Sequence, residues 1–194
     1  MTKLLPIVLL TTLLAFSAQA SFKFQAGPYM EYFLIGGQNT SGASSTSGNG
    51  DLTGYGLGLK TGLTYSGFEA GLDFAYRHFS AKYDPQYNNN LGNDVISGQM
   101  IGPYVAYTFL DMVKVSVSLY LSTNLTAASE RGYEGDAPSA KLEVSYLLKN
   151  KASLGALYIP TVDLNSSSSI GNEFRELSGL FGLSFNIPYD VFSI

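Results

Sequence analysis

The stretch Leu52–Ser80 decides the fold of this chain. It reads LTGYGLGLKTGLTY from Leu52 to Tyr65, SG at residues 66–67, and FEAGLDFAYRHFS from Phe68 to Ser80. In both halves, apolar and aromatic residues occupy most alternate positions, and glycine or charged residues occupy many of the positions between them. A period of two is typical of β-strands, and a two-residue Ser-Gly connection is typical of a tight hairpin.

The same alternation continues through the rest of the chain after residue 21. It predicts eight strands, at residues 22–37, 52–65, 68–80, 95–110, 113–123, 138–148, 152–162 and 174–187. Long polar connections are predicted at residues 38–51, 81–94, 124–137 and 163–172, and short ones at 66–67, 110–112 and 149–151. Long and short connections alternate strictly, so all the long ones lie at one end of the predicted structure and both termini lie at the other.

This organisation predicts an all-β fold: an eight-stranded antiparallel up-and-down transmembrane β-barrel. Alternation alone also fits a soluble barrel with an apolar interior. Three features favour a membrane barrel: strands of about ten residues or more, aromatic residues clustered near the strand ends, and long loops at one end only. The charged fraction of 13% is also well below the roughly 25% of soluble proteins.

Residues 1–20 have the features of a cleavable signal peptide. Lys3 provides a positive charge, residues 4–16 are mostly apolar, and Ala18-Gln19-Ala20 matches the cleavage pattern of small residues. The run is too short for a membrane-spanning helix. We therefore expect residues 1–20 to be removed and residues 21–194 to form the barrel domain.

Charged residues lie at positions that the alternation places inside the barrel. They are Glu31, Lys60, Glu69, Asp73, Arg77, Lys114, Lys141, Glu143 and Glu176. An isolated buried charge is costly, so we expect these side chains to pair, Lys60 with Glu69 or Asp73, and Arg77 with a neighbour. Because an eight-stranded barrel is only wide enough for its own side chains, a sealed lumen is favoured over a narrow ion path.

A second group of residues raises the question of an enzyme. His78, the only histidine, and Ser80 are predicted to share the lipid-facing side near the outer rim, and Asp94 starts the next strand. A histidine acting as base on a serine needs a carboxylate to orient it. The alternative is that His78 simply lies among lipid head groups, and on this basis we expect no enzymatic activity.

The composition argues against other kinds of site. With one histidine and no cysteine, we expect no metal site. No cofactor motif is present. The acidic chain, of net charge −4, argues against nucleic acid.

The segment Gly102–Phe109, GPYVAYTF, together with this architecture, resembles the eight-stranded outer-membrane barrels, the superfamily of the OmpA transmembrane domain and OmpX. The resemblance covers residues 21–194 and implies an outer-membrane location in a Gram-negative-type envelope. It also implies contact with lipopolysaccharide and other outer-membrane lipids, and with periplasmic chaperones and the barrel-assembly machinery. His-x-Ser on the lipid-facing side is similar to the outer-membrane lipid A deacylases, although Ala81 stands where they usually have Asn.

One departure from that superfamily concerns the C-terminus. Such barrels usually end in an aromatic residue, whereas this chain ends Val191-Phe192-Ser193-Ile194. A bulge near Pro188 is expected to bring Phe192 and Ile194 into the lipid-facing phase.

The expected function is therefore a structural or surface-interaction role, with polar loops that meet a ligand outside the cell. A small-solute channel and a lipid A-modifying enzyme are the alternatives.

Overall fold

The computed structural model describes residues 22–42, 48–83, 94–127, 132–149, 152–168 and 171–193. The predicted signal peptide, Ser21 and Ile194 lie outside these residues. The described residues form eleven strands: β1 (Lys23–Gly42), β2 (Gly48–Tyr65), β3 (Phe68–Tyr83), β4 (Asp94–Phe109), β5 (Val113–Tyr120), β6 (Ser122–Ala127), β7 (Gly132–Gly135), β8 (Ser139–Leu147), β9 (Ser153–Ser168), β10 (Gly171–Asn186) and β11 (Tyr189–Ser193).

These strands close into a barrel with eight wall positions. β5 and β6 follow one another along β4, β7 and β8 together pair with β9, and β11 continues β10 along β1. All pairs are antiparallel, and the pairing of β1 with β10 closes the wall. The predicted eight-stranded antiparallel barrel is confirmed.

The predicted hairpin connections lie where the backbone can turn. Ser66 and Gly67 have φ values of 49° and 81°, and Leu110 and Asp111 have φ values of 50° and 55°. At the other end, strands extend beyond their predicted limits into the regions predicted as long loops. β2 and β3 pair from Tyr65 and Phe68 up to Gly50 and Tyr83, so the first hairpin is longer than its sequence pattern indicated.

Irregular positions shift the alternation in several wall strands. In β10, Gly179 has φ +60°, and Leu177 and Leu180 on either side of it are both buried. An unbroken alternation over the predicted strand 174–187 puts Leu177 on the outward face with Phe181 and Leu183. That expectation is wrong, because the irregularity at Gly179 reverses the phase. β9 carries a similar shift at Pro160, which lies opposite Gly179 at an unpaired position between the pairs Ser178–Thr161 and Leu180–Ile159 and has no N–H to donate.

The C-terminal bulge also lies elsewhere than expected. Pairing of β11 with β1 stays in register past Pro188, and the shift falls between Asp190 and Phe192. Phe192 then pairs with Phe24 and stacks on its ring at 5.3 Å between centroids. Phe192 is exposed on the outer surface, as predicted, although the bulge is at Val191.

The outer surface of the barrel carries a broad apolar band. Large apolar side chains there are between about a third and two thirds exposed, among them Leu57, Leu72, Val117, Val144 and Leu183. Their sequence neighbours point inward and are mostly buried. Within the described residues, no helix is long and apolar enough to cross a membrane.

Candidate functional site: the barrel interior

Glycines on the inward face of β2 make room for large polar side chains from other strands. A Cβ at Gly56 would lie 3.0 Å from the Glu31 carboxylate and 3.2 Å from the Arg77 side chain. A Cβ at Gly58 would overlap the Tyr29 ring. The glycine face seen in the sequence therefore accommodates neighbouring side chains rather than empty space.

Four of the predicted residues meet at the centre of the barrel. Glu31 accepts a hydrogen bond from Arg77 Nε at 2.9 Å, and its other oxygen lies 2.8 Å from Lys141 Nζ. Lys141 also contacts Asp73 at 2.9 Å. These four side chains are fully buried, or nearly so. They form two carboxylate and two cationic groups in one connected cluster.

Neutral polar side chains complete this cluster. Asp73 accepts hydrogen bonds from the Tyr29 hydroxyl, from Ser118 Oγ at 2.6 Å and from Tyr120 at 3.1 Å. Arg77 Nη2 donates to the Tyr120 hydroxyl at 2.7 Å. Because removing a charge from water costs several kcal/mol, these extra hydrogen bonds are needed to hold the ions inside.

Two further ion pairs lie on either side of the cluster. Lys60 Nζ is 2.7 Å from Glu143, which also accepts from Ser184 Oγ at 2.6 Å. Lys114 Nζ is 2.6 Å from Glu69. The expectation that Lys60 forms an ion pair with Glu69 or Asp73 is wrong. Asp73 lies opposite Lys60 in the backbone register of β2 and β3. The Lys60 ammonium instead reaches across the barrel to Glu143.

We call these eight residues the inner charge network. They are Glu31, Lys60, Glu69, Asp73, Arg77, Lys114, Lys141 and Glu143, each at most 8% exposed. Four positive and four negative groups give no net charge, and every one of them has an opposite partner within 2.9 Å.

Glu176, the ninth predicted residue, does not join this network. It lies above Gly179 and is only partly buried, whereas its neighbours Arg175 and Leu177 are buried. The phase reversal at Gly179 places Arg175 on the inward side instead. Its guanidinium lies 4.9 Å from the centre of the Tyr133 ring. Sequence reasoning missed Arg175; the Ser178-Gly179 pair was the only signal of the reversal.

Above the inner charge network, most of the buried interior side chains are apolar, although Gln38, Thr40 and Arg175 are buried there as well. The following apolar side chains are at most 1% exposed: Phe33, Leu52, Phe79, Ile96, Met100, Leu125, Leu157, Ile159, Val162, Leu164, Leu177 and Leu180. We call this set the apolar inner layer. Arg77, whose Nη1 contacts Met100 Sδ, joins it to the charge network below. Ten of these twelve positions fall in predicted strands, and two, Leu125 and Leu164, fall in predicted loops. This layer was not predicted from the sequence.

At the level where the interior becomes mostly apolar, the outer surface becomes polar. Leu52, Phe79 and Leu125 point inward, while their neighbours Thr53, Ser80 and Asn124 are exposed outside. Lower in the wall, Asp73 and Lys114 point inward between exposed apolar residues. The lower barrel therefore has the polarity of a membrane barrel, and the upper barrel has the polarity of a water-soluble one.

His78 and Ser80 lie on the outward side of β3, as their spacing predicted. The His78 ring stacks on Tyr55, 4.9 Å between ring centroids, and no hydrogen bond joins His78 to Ser80 among the described residues. The backbone of Asp94 pairs with Ala81, whereas Ser80 pairs with Val95. Asp94 therefore does not lie directly opposite Ser80. Its side chain lies outside the described part of the structure. The described residues contain no group of three or more side chains able to hold a metal ion.

These features define the class of protein. A closed eight-position wall, an apolar outer band and an ion-paired interior together make this chain a small β-barrel of the outer-membrane type.

Neither a protein-family model nor a curated protein sequence matches the chain. Among solved structures, it is similar to the outer membrane protein OprG from Pseudomonas aeruginosa, at 10% identity and a TM-score of 0.48, covering 89% of this chain and 97% of that one. It is also similar to the outer membrane protein AlkL, at 12% identity and a TM-score of 0.46, covering 87% and 90%. A weaker likeness is to the toluene transporter TodX from Pseudomonas putida, at 9% identity and a TM-score of 0.26, covering 87% and 76%.

Proposed function

We propose that this barrel does not conduct solutes along its axis and that its role is structural or is carried by its outer, solvent-facing end. The observation that supports this is the double filling of the interior. The inner charge network occupies the lower barrel and the apolar inner layer occupies the upper barrel, both almost fully buried. An ion crossing along the axis would have to separate buried ion pairs and then pass through hydrocarbon.

Conductance across a planar lipid bilayer tests this proposal. The purified protein is expected to give no steady current steps after insertion, with folded insertion checked by its mobility in unheated gel samples. Regular open steps from folded protein would refute the sealed lumen and favour the small-solute channel.

A second candidate function follows from an interruption in the wall between β8 and β9. Backbone pairing links Gly135 to Leu164 and resumes at Leu142 with Tyr158, and between these points only Asp136 N bonds to Asp163 O, at 2.9 Å. Pro138 and Pro160, which cannot donate to the ladder, lie in the two interrupted segments. Behind the gap lie Ile159 and Val162 of the apolar inner layer. This favours a lateral route for small apolar molecules between the upper interior and the outer surface of the barrel, at the upper edge of the apolar band.

A reversible crosslink across this gap separates the two candidates. The chain has no native cysteine, so a pair introduced by Ala137→Cys and Thr161→Cys, both exposed positions, forms the only disulfide. If the gap is a route, oxidation should stop uptake of an apolar fluorescent probe into protein-containing vesicles, and reduction should restore it. Matched cysteines at Gly50 and Tyr83, where the wall is paired, are the control. Uptake equal to that of empty vesicles in every state would remove the lateral route.

We also propose how the chain reaches the membrane and what it meets there. Residues 1–20 act as an export signal cut after Ala20, and the barrel is inserted by periplasmic chaperones and the barrel-assembly machinery. In the outer membrane, its partners are lipids including lipopolysaccharide, and a surface ligand that its long outer hairpins contact. Mass spectrometry of the N-terminus of membrane-extracted protein tests the cut; a mature chain that begins at any residue other than Ser21 would contradict it.

We propose that the barrel is not a lipid A deacylase. His78 stacks on Tyr55, and no hydrogen bond joins it to Ser80 among the described residues, which supports this. Mass spectra of lipid A from cells with and without abundant protein should show identical acylation. Loss of an acyl chain that disappears in a Ser80→Ala variant would instead establish the enzyme with His78 and Ser80.

A further inference from the structure

Hydrogen-bond donors gather on the outward faces of β2, β3 and β4, at the upper edge of the apolar band. The backbone register sets Tyr55, His78 and Ser97 in one row, and Thr53, Ser80 and Val95 in the next. Lys82 follows on the same face of β3 and is exposed, as are Thr53 and Ser80. Side chains in neighbouring rows of a sheet lie within reach of one another. We call His78, Ser80, Lys82, Thr53 and Ser97 the outer-rim patch.

The chemistry of the outer-rim patch suits an anion. It offers an ammonium, three hydroxyls and an imidazole that carries one or two N–H donors according to its protonation state. Asp51, the backbone partner of Lys82, is the carboxylate on this face, and no ion pair joins the two among the described side chains. The Lys82 ammonium can therefore point toward the row of hydroxyls.

The position of the patch in the wall indicates which anion it meets. Exposed Tyr55 lies beside His78 in the same row, exposed Tyr76 and Leu57 form the row below, and exposed Phe74 lies in the next. Aromatic residues of this kind mark the boundary between lipid chains and head groups. His78 and Ser97 lie in the row of Tyr55, and the other donors lie one or two rows above it. The donors are therefore at the level of lipid head groups, on the long-hairpin side of the barrel.

We propose that the outer-rim patch binds the phosphate group of an outer-leaflet glycolipid head group. A phosphate monoester carries nearly two negative charges and three acceptor oxygens, which match donors spread over three adjacent strands. The fatty chains of the same lipid lie along the apolar band below, over Leu57, Phe74 and Ile101. The stacked pair of Tyr55 and His78 holds the imidazole at the boundary where the phosphate lies. This inference rests on the proposed contact with lipopolysaccharide, but it does not depend on whether the lumen conducts.

Native mass spectrometry of the detergent-purified barrel measures this binding directly. The probes are purified bis-phosphorylated lipid A, the same lipid after phosphatase treatment, and phosphatidylglycerol. The bis-phosphorylated lipid should bind the wild-type barrel about tenfold more tightly than the dephosphorylated lipid. The double variant His78→Gln with Lys82→Gln should lose this preference. Asp51→Asn, which removes the nearby carboxylate, should strengthen binding.

Lys149→Gln is the matched control. It removes one exposed positive charge at the short turn after β8, at the opposite end of the barrel, and should leave lipid A binding unchanged. Circular dichroism establishes that each variant keeps its sheet content. Equal binding of the phosphorylated and dephosphorylated lipids would overturn the proposal, and so would an equal loss in Lys149→Gln. Tight binding of phosphatidylglycerol, or competition by millimolar inorganic phosphate, would overturn the assignment to a glycolipid.

Discussion

At the scale of single residues, Glu31 is the most connected member of the inner charge network. It neutralises both Arg77 and Lys141, and all three side chains are fully buried. Glu31→Gln keeps the size of the side chain and removes its charge, so two buried cations lose a shared partner. We expect the free energy of unfolding in detergent to fall by about 3 to 5 kcal/mol, as for other broken buried ion pairs.

Urea unfolding followed by circular dichroism measures this loss. Glu134→Gln, on the exposed face of β7, is the control and should change stability by less than about 0.5 kcal/mol. A Glu31→Gln barrel as stable as the control variant would mean that the network is not held by its charges.

The inner charge network also shows which features of single residues could be predicted from the sequence. A period of two placed Glu31, Asp73 and Lys141 inside, because alternation fixes the face of each side chain. It did not give their partners. Which ions meet across the interior depends on how far each strand is shifted along its neighbour around the barrel, and no short stretch of sequence records that shift.

At the scale of elements, the phase reversal in β10 is set by Gly179. Its φ of +60° is unfavourable for residues with a Cβ, yet no atom lies within 4 Å of a Cβ built there. Gly179→Ala should therefore destabilise the barrel by about 1 to 2 kcal/mol through the backbone alone. Gly132→Ala in β7, which also has open space and is not at positive φ, should have little effect.

The same urea titration compares the two glycine variants. Similar stabilities would show that the left-handed backbone at Gly179 is not what fixes this strand.

Phase reversals explain most of what the sequence did not predict about the elements. Alternation in β2, β3 and β4 continues unbroken, and their faces were predicted correctly. In β10 the prediction continued the alternation of inward and outward residues through Gly179. Leu177 and Glu176 were therefore assigned to the wrong faces, and Arg175 was missed. The upper strand segments were taken for loops because their outward residues are Ser, Thr and Asn, which are also common in turns.

At the scale of the whole molecule, the barrel consists of two parts of opposite polarity. The lower part fits a bilayer, with apolar residues outside and ion pairs inside. The upper part has a mostly apolar interior and a polar exterior, an arrangement that is stable in water. We therefore expect the membrane surface to lie near Tyr55 and Tyr76, where the exterior changes, and the upper hairpins to stand above it.

Cysteine labelling of whole cells tests this placement, because the chain has no cysteine of its own. Asn165→Cys lies outside on the upper part of β9, Leu142→Cys lies in the apolar band, and Lys149→Cys lies at a short turn; all three positions are exposed in the isolated chain. A membrane-impermeant maleimide should label Asn165→Cys in intact cells. Lys149→Cys should react only after the outer membrane is permeabilised, and Leu142→Cys only after the protein is unfolded. Labelling of Leu142→Cys in intact cells would place the bilayer elsewhere, while labelling of Lys149→Cys there would reverse the orientation of the barrel.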